Sequence, residues 1–315
     1  KSAKSAAVLE HARAALECCI HRGFGKHGLP YTGSGDWNDA LDRVGGESVW
    51  LGWFFAYCAA RFAELLERLG ADGAAHYRQY AAEAGSAADA AFNGKWYLRA
   101  LYASGEALGG GERIDSVAQS WAVLSGFGSE TRAASAMDSA LFRLWDREHR
   151  LIRLLDPPYS DRESSPGYIT GYGEGFRENG GQYTHGAIWL AIAALRLGRS
   201  AEGTAMLETL LPETHEERIY QAEPFVLPAD ISTARGHEGL AGWTWYTGSA
   251  GWYFRAVTRE LLGLRMRDGR LYIESPVLPE FSVCWTDDAG RTHTIERSPD
   301  GITVDGKSYD GGGLP

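Results

Sequence analysis

The stretch from about 47 to 69 constrains the fold most: its apolar spacing is helical, yet Val49, Trp50, Leu51, Trp53, Phe54, Tyr57, Cys58, Phe62, Leu65 and Leu66 cover nearly every face. Such a helix is expected to sit inside, surrounded by others. The pattern that follows, 72–92, is alanine-rich and polar, as an outer helix would be. Further helical patterns fall at about 4–24, 114–126, 129–145, 184–198, 200–212 and 249–262, several joined in pairs by short breaks such as Gly70-Ala71 and Gly198-Arg199. Inner and outer helices in succession predict a mainly α fold, part of an α/α barrel, over residues 1–263. From 264 onward, alternating runs such as Arg270-Leu271-Tyr272-Ile273 and Phe281-Ser282-Val283-Cys284-Trp285 are split by Asp-Gly and Ala-Gly turns, which predicts a small antiparallel β domain over 264–315. The tail, Asp310 to Pro315, is expected to fray.

A formal net charge of -10 over 315 residues, with no Lys/Arg cluster, argues against nucleic-acid binding, which needs basic patches facing phosphate. The four cysteines, Cys18, Cys19, Cys58 and Cys284, form no Cys-x-x-Cys pair, so a reduced, cytoplasmic setting and no metal site are expected. Lys1-Ser2-Ala3-Lys4 leads into a charged helix rather than an apolar signal core. The longest uncharged apolar run, Val49 to Ala60, falls short of the ~20 residues of a membrane span. Without an initiating Met, and opening inside a helical pattern, the chain reads as the C-terminal piece of something longer.

Three glycine-rich, aromatic loops carry the chemistry, each leading toward an apolar helix: Gly33 to Asp39, Arg177 to His185, and Gly242 to Trp252. Their shared style suggests one pocket. Asp39 is the candidate acid, with Asp36 and the face of Trp37 placed to raise its pKa by like charge and desolvation. Asp36 and Asp39 can equally be capping or loop-bracing residues. His185, and Thr247-Gly248-Ser249 before the last helix, can each present side chains and helix N–H groups to an anion, or serve as plain caps. Glu178 can bind sugar hydroxyls, act as a base, or pair with Arg177 on a surface. Trp37, Trp243, Trp245 and Trp252 suit stacking on pyranose rings, whereas Trp50, Trp53 and Trp121 belong to the core. Inverting cleavage of a glycosidic bond ordinarily takes two carboxyls. With phosphate as attacker one proton donor suffices, because phosphate is already anionic.

Five ordered strings, Gly28-Leu29-Pro30 through Gly35-Asp36-Trp37-Asn38-Asp39, Gly46 to Gly52, Gln119 to Gly126, Glu178-Asn179-Gly180-Gly181, and Trp245 to Trp252, resemble the inverting glycoside phosphorylases of glycoside hydrolase family 94. The resemblance covers roughly residues 10 to 275 and is greatest to the cyclic β-1,2-glucan synthase and β-1,2-oligoglucan phosphorylase branch. It implies an (α/α)6 barrel followed by a small β domain, with Asp39 as general acid, Trp37 and Glu178 at the sugar, and His185, Thr247 and Gly248 at phosphate. It implies no cofactor beyond phosphate as co-substrate. The family's N-terminal β-sandwich and upstream barrel segment have no counterpart in these residues. Expected partners are a β-glucan oligosaccharide and phosphate, with a larger parent polypeptide or a homodimer. The leading expectation is reversible phosphorolysis of a β-linked glucoside to α-glucose 1-phosphate. The rivals are an inverting hydrolase using Glu178 or Asp36 as base, and a non-catalytic glycan-binding region.

Overall fold

The computed structural model describes residues 5–160 and 166–314. Its helices follow the periodic segments: α1 (Val8–Arg22), α2 (Val49–Arg68), α3 (Ala74–Ala90), α4 (Ser116–Leu124), α5 (Glu130–Arg143), α6 (Thr184–Arg196), α7 (Ser200–Thr209), the short α8 (Glu217–Tyr220) and α9 (Thr247–Arg255). Helix α9 continues as a π-helical turn over Ala256–Leu261. The expected helix start at residue 4 and the end of the tail, Pro315, lie outside the described residues.

Pairs α2/α3, α4/α5 and α6/α7 pack as hairpins, and α2, α4, α6 and α9 adjoin one another in an inner row. The row is apolar because it is packed from both sides; in α6 every residue from Gly186 to Leu195 is buried. Indole rings join its members: Trp50 of α2 meets Trp121 of α4 at 6.2 Å, and Trp121 meets Trp189 of α6 at 5.3 Å. Each buried aromatic contributes about 1.5–3 kcal/mol by leaving water.

The expectation that α2 is surrounded needs correction. Trp50, Trp53, Phe55, Phe62 and Leu66 are buried, but Phe54 and Leu65 are exposed. They line, with Leu16 of α1, an apolar cavity of about 550 Å³. By length and composition α2 is also sufficient to cross a membrane, unlike the shorter run from 49 to 60, although 56% of that stretch is buried within the protein.

Two-residue strands, invisible to periodicity, tie the loops together. Antiparallel pairs form between β1 (Glu47–Ser48) and β2 (Ala100–Leu101), β3 (Ile114–Asp115) and β6 (Leu155–Asp156), and β4 (Trp145–Asp146) and β5 (Leu151–Ile152). Strands β7 (Gln182–Tyr183), β8 (Asp230–Ile231) and β9 (Ala241–Gly242) make a three-stranded sheet. Strands β1, β3 and β7 run directly into α2, α4 and α6, so these ties bring the helix N-termini to one end of the row.

After α9 the chain turns to strands: β10 (Leu264–Arg267) pairs with β11 (Arg270–Ile273), and β12 (Phe281–Thr286), β13 (Thr292–Ser298), β14 (Gly301–Val304) and β15 (Lys307–Ser308) form an antiparallel meander. Leu271, Ile273 and Ile295 are its buried centre. The tail does not fray up to 314, because Leu314 exchanges backbone hydrogen bonds of 2.8 and 3.1 Å with Leu271.

Candidate active site

At the N-terminal end of the inner row lies a cavity of about 450 Å³ lined by Asp36, Trp37, Asp39, Tyr168, Tyr172, Arg177, Glu178, Tyr183, His185 and Tyr246. Two of the three loops singled out in the sequence thus converge, and Tyr246 brings in the third. The first loop turns tightly: Gly35 has φ 122°, and a Cβ there would lie 3.1 Å from the Asp39 Cα. Glycine lets the chain fold back so that both aspartates leave one short turn.

The two aspartates have opposite fates. Asp36 is a brace: its Oδ1 accepts from the Asn38 N–H at 3.0 Å and Arg99 Nη2 at 2.6 Å, and its Oδ2 from Ser48 Oγ at 2.6 Å and Arg99 Nη1 at 2.7 Å. Burial alone would raise its pKa, but the Arg99 cation and these donors hold it below the usual carboxylate range. With its oxygens occupied and its charge compensated, Asp36 is not a base for water. Ser48 also caps α2 by accepting from the Leu51 N–H, and Asp115 caps α4 by accepting from the Val117 N–H. Arg99 Nε lies 3.3 Å from Asp115, farther than its contacts to Asp36. Burial therefore prevails at Asp115 and pushes its pKa up to about 6. Asp39, in contrast, is exposed on the cavity wall rather than buried.

Across the cavity, Glu178 is buried and its Oε2 has no hydrogen-bond partner, although Arg177 Nε is 3.7 Å away. It is not the surface partner of Arg177 that its charge allowed. Burial raises its pKa, and the carboxylates of Asp39 and Asp230 add to the shift, against a backbone hydrogen bond and Arg177. Arg177 is also held 3.3 Å from Asp230 and lies over the Trp243 ring at 5.0 Å. Both Arg177 and Trp243 have positive φ, 51° and 55°, in a region non-glycine residues rarely adopt.

His185, in the first turn of α6, is packed by Trp189 at 4.2 Å, Trp37 at 5.7 Å and Trp252 at 5.9 Å. Burial pushes its pKa down to about 4, so the imidazole is neutral at pH 7. The Trp37 indole N–H donates to its Nδ1 at 3.4 Å. An indole can only donate, which leaves the ring proton on Nε2, itself enclosed and without a partner. Tyr183 and Tyr246 hydroxyls lie 3.1 Å apart on the same side.

Of the residues expected at the site, Asp39, Trp37, Glu178 and His185 share this cavity. Thr247 and Gly248 do not line it: both are exposed at the start of α9, and Thr247 faces a neighbouring apolar cavity with Phe225, Trp245 and Phe254. Tyr246 borders both cavities. Trp243 and Trp245 are 71% and 64% exposed, outside the lining, while Trp252 packs on His185. Sequence reasoning passed over Tyr168, Tyr172 and Arg99, which carry no motif; Arg99 lies sixty-three positions from Asp36, and only the fold makes them partners.

The sequence profile described as "Glycosyl hydrolase 94 superfamily, catalytic domain" matches residues 1–263. The cyclic beta-(1,2)-glucan synthase NdvB of Rhizobium meliloti (strain 1021) is 40% identical over 311 residues, covering 93% of this chain and 11% of that protein. The N,N'-diacetylchitobiose phosphorylase of Vibrio proteolyticus is 29% identical (98% and 40% covered), and the solabiose phosphorylase of Paenibacillus borealis 32% identical (81% and 35% covered). The chain thus spans well under half the length of these curated relatives. Among solved structures, a GH78 family rhamnosidase of Bacillus sp. GL1 superposes with TM-score 0.64 at 14% identity (94% of this chain, 29% of that one), and a sialidase with TM-score 0.63 at 13% (95% and 29%). At such identities the likeness is one of fold.

Proposed function

The chain belongs to the glycosyl hydrolase 94 superfamily, and from that premise we propose that its cavity is the site of inverting, reversible phosphorolysis of a β-linked glucoside. The observation that carries the reading is the convergence of Asp39, Glu178, neutral His185 and Trp37 on one cavity of about 450 Å³. A phosphate oxygen attacks the anomeric carbon while the bond to the departing sugar breaks, and the Asp39 carboxyl gives its proton to the leaving oxygen. The product is α-glucose 1-phosphate, and Asp39, left as carboxylate, is reprotonated before the next turnover. The 40% identity to a cyclic beta-(1,2)-glucan synthase supports a β-1,2-glucan as the substrate.

Each residue has a physical task in this reading. Trp37 fixes the orientation of His185, whose ring borders the cavity and stays neutral near pH 7 while phosphate binds beside it. Thr247 and Gly248, at the exposed start of α9 beside Tyr246, approach the anion from the cavity's edge. The Glu178 carboxylate accepts from a sugar hydroxyl. No metal or organic cofactor is required. The inner row and its hairpins are taken as part of an (α/α)6 ring, with the strands from 264 onward as a separate small domain.

The test is turnover of β-1,2-, β-1,3- and β-1,4-linked glucosides with and without inorganic phosphate, by this chain and by a polypeptide of its relatives' length. Sugar phosphate should form from the β-1,2 substrate only with phosphate present, and Asp39→Asn should lower the rate by about 10²–10⁴ with folding intact. Undiminished turnover in the variant removes Asp39 from the acid role. One observation favours a second reading: Glu178, with a raised pKa and an unpartnered oxygen, is placed to serve as base for water in an inverting hydrolysis. Free sugar released without phosphate selects it.

A further inference from the structure

The opposite, C-terminal end of the same helices holds a second polar cavity, of about 500 Å³, whose wall includes Arg61, Arg196, Arg255, Arg259 and Arg265 but only one acid, Glu64. Three of the arginines are answered from within the protein. Arg61 pairs with Glu64 at 2.8 Å, and Glu260 pairs with Arg196 at 2.8 Å and Arg265 at 3.3 Å. Arg255 and Arg259 are not: neither has a salt bridge or hydrogen bond among the described residues, and the Nε of each is buried without a partner. Arg255 has only the Trp252 ring, 4.9 Å from its guanidinium.

Both side chains are half-buried, so part of their charge is withdrawn from water. Helix C-termini carry about half a negative charge each, and those of α4 and α6 reach this cavity at Leu124 and Arg196. Together with Glu64 and Glu260 they offset about three of the five positive charges, leaving roughly two without an answer. Plain dipole compensation therefore does not account for Arg255 and Arg259. They stand four residues apart at the junction where α9 widens into the π-helical turn, a distortion that often marks a functional position. Planar guanidinium forks are matched to phosphate-type oxyanions, which they grip by paired N–H donors.

We propose that this cavity is a second anion site, distinct from the one at the Asp39 end, and that it takes a compact multivalent phosphate-class oxyanion, with Arg255 and Arg259 as its principal donors. The two sites share helices: His185 and Arg196 lie at opposite ends of α6, about 16 Å apart by helical rise. The proposal stands whether or not the Asp39 cavity performs phosphorolysis.

The test is calorimetric titration of the whole chain with inorganic diphosphate, repeated with citrate. Diphosphate should bind, and the Arg255→Gln/Arg259→Gln pair should weaken that binding at least tenfold. Arg61→Gln, on the more exposed wall, should weaken it by a smaller factor and serves as the readout if the double variant does not fold. Absence of diphosphate binding, equal binding in the arginine variants, or tighter binding of citrate than of diphosphate would each overturn the assignment.

Discussion

Two arginines in this molecule are each set between a pair of acids, and they differ in what is left over. Arg99 is 3% exposed and divides itself between Asp36 and Asp115; the acids in turn are occupied by Ser48 and by backbone N–H groups of the first loop and of α4. Arg177 is 22% exposed and divides itself between Glu178 and Asp230, but at 3.7 and 3.3 Å, with the Glu178 Oε2 buried and unpartnered and the residue itself on the cavity wall. The first is a network closed on its acid side, although the Arg99 Nε, 3.3 Å from Asp115, makes no hydrogen bond, and it holds the N-termini of α2 and α4 together. The second is an open one, and unspent hydrogen-bonding capacity facing a cavity is what a ligand can use. Charge content alone does not distinguish scaffold from site; whether the carboxylates are saturated does.

Arg99→Leu strikes the closed network and should have the largest effect. It leaves Asp36 buried and uncompensated, at a cost of about 3–5 kcal/mol in urea unfolding. A cost below about 1 kcal/mol would mean the network is not the brace described. Glu178→Gln keeps the shape of the open network and removes its charge. Sugar binding should weaken by about 10–100-fold, the worth of a hydrogen bond to a charged group, with the unfolding midpoint little changed; the opposite split would place Glu178 with the scaffold. Arg177→Leu should cost less, about 1–3 kcal/mol, because Arg177 is 22% exposed and its contacts to the buried Glu178 and Asp230 are long, at 3.7 and 3.3 Å; comparison with Arg99→Leu by the same unfolding measurement bears directly on the contrast.

The smallest effect concerns Asp115, whose pKa is about 6 in the folded chain against about 3.9 unfolded. Between those values the folded state holds a proton that the unfolded state has lost, so this group makes stability fall as pH rises from about 4 to about 6, after which the loss is constant. Asp115→Asn keeps the helix cap and removes the titration. Its stability relative to the parent should therefore improve across that window, as urea midpoints at pH 4.5 and 7 would register. A pH-independent difference would assign the proton elsewhere. Asp36, with its lowered pKa, acts in the other sense and only below about 4.

The helices were legible because apolar spacing is a local property. The segments at 47–69, 184–198 and 249–262 fold as α2, α6 and α9 with its π-helical turn, each within a few residues of the periodic limits. The gathering of Asp39, Glu178 and His185 was also within reach, since the glycine-rich loops and their likeness to one family marked them before any coordinates did. The sequence could not assign the two aspartates of Asp36-Trp37-Asn38-Asp39 to different tasks. That depended on Arg99, brought up by the pairing of β1 with β2.

Sequence by itself thus determined the helical segments, the strand-rich end and the family, because each is written in local patterns or in ordered motifs. Tertiary structure alone decided which carboxylate is spent on the scaffold and which faces a cavity, that His185 is neutral with its proton on Nε2, that Thr247 lies beside rather than within the Asp39 cavity, and that Arg255 and Arg259 are left unanswered. Those outcomes depend on burial and on partners far away along the chain. Desolvation and Coulomb forces act through space, and no spacing of letters encodes them until the chain has closed on itself.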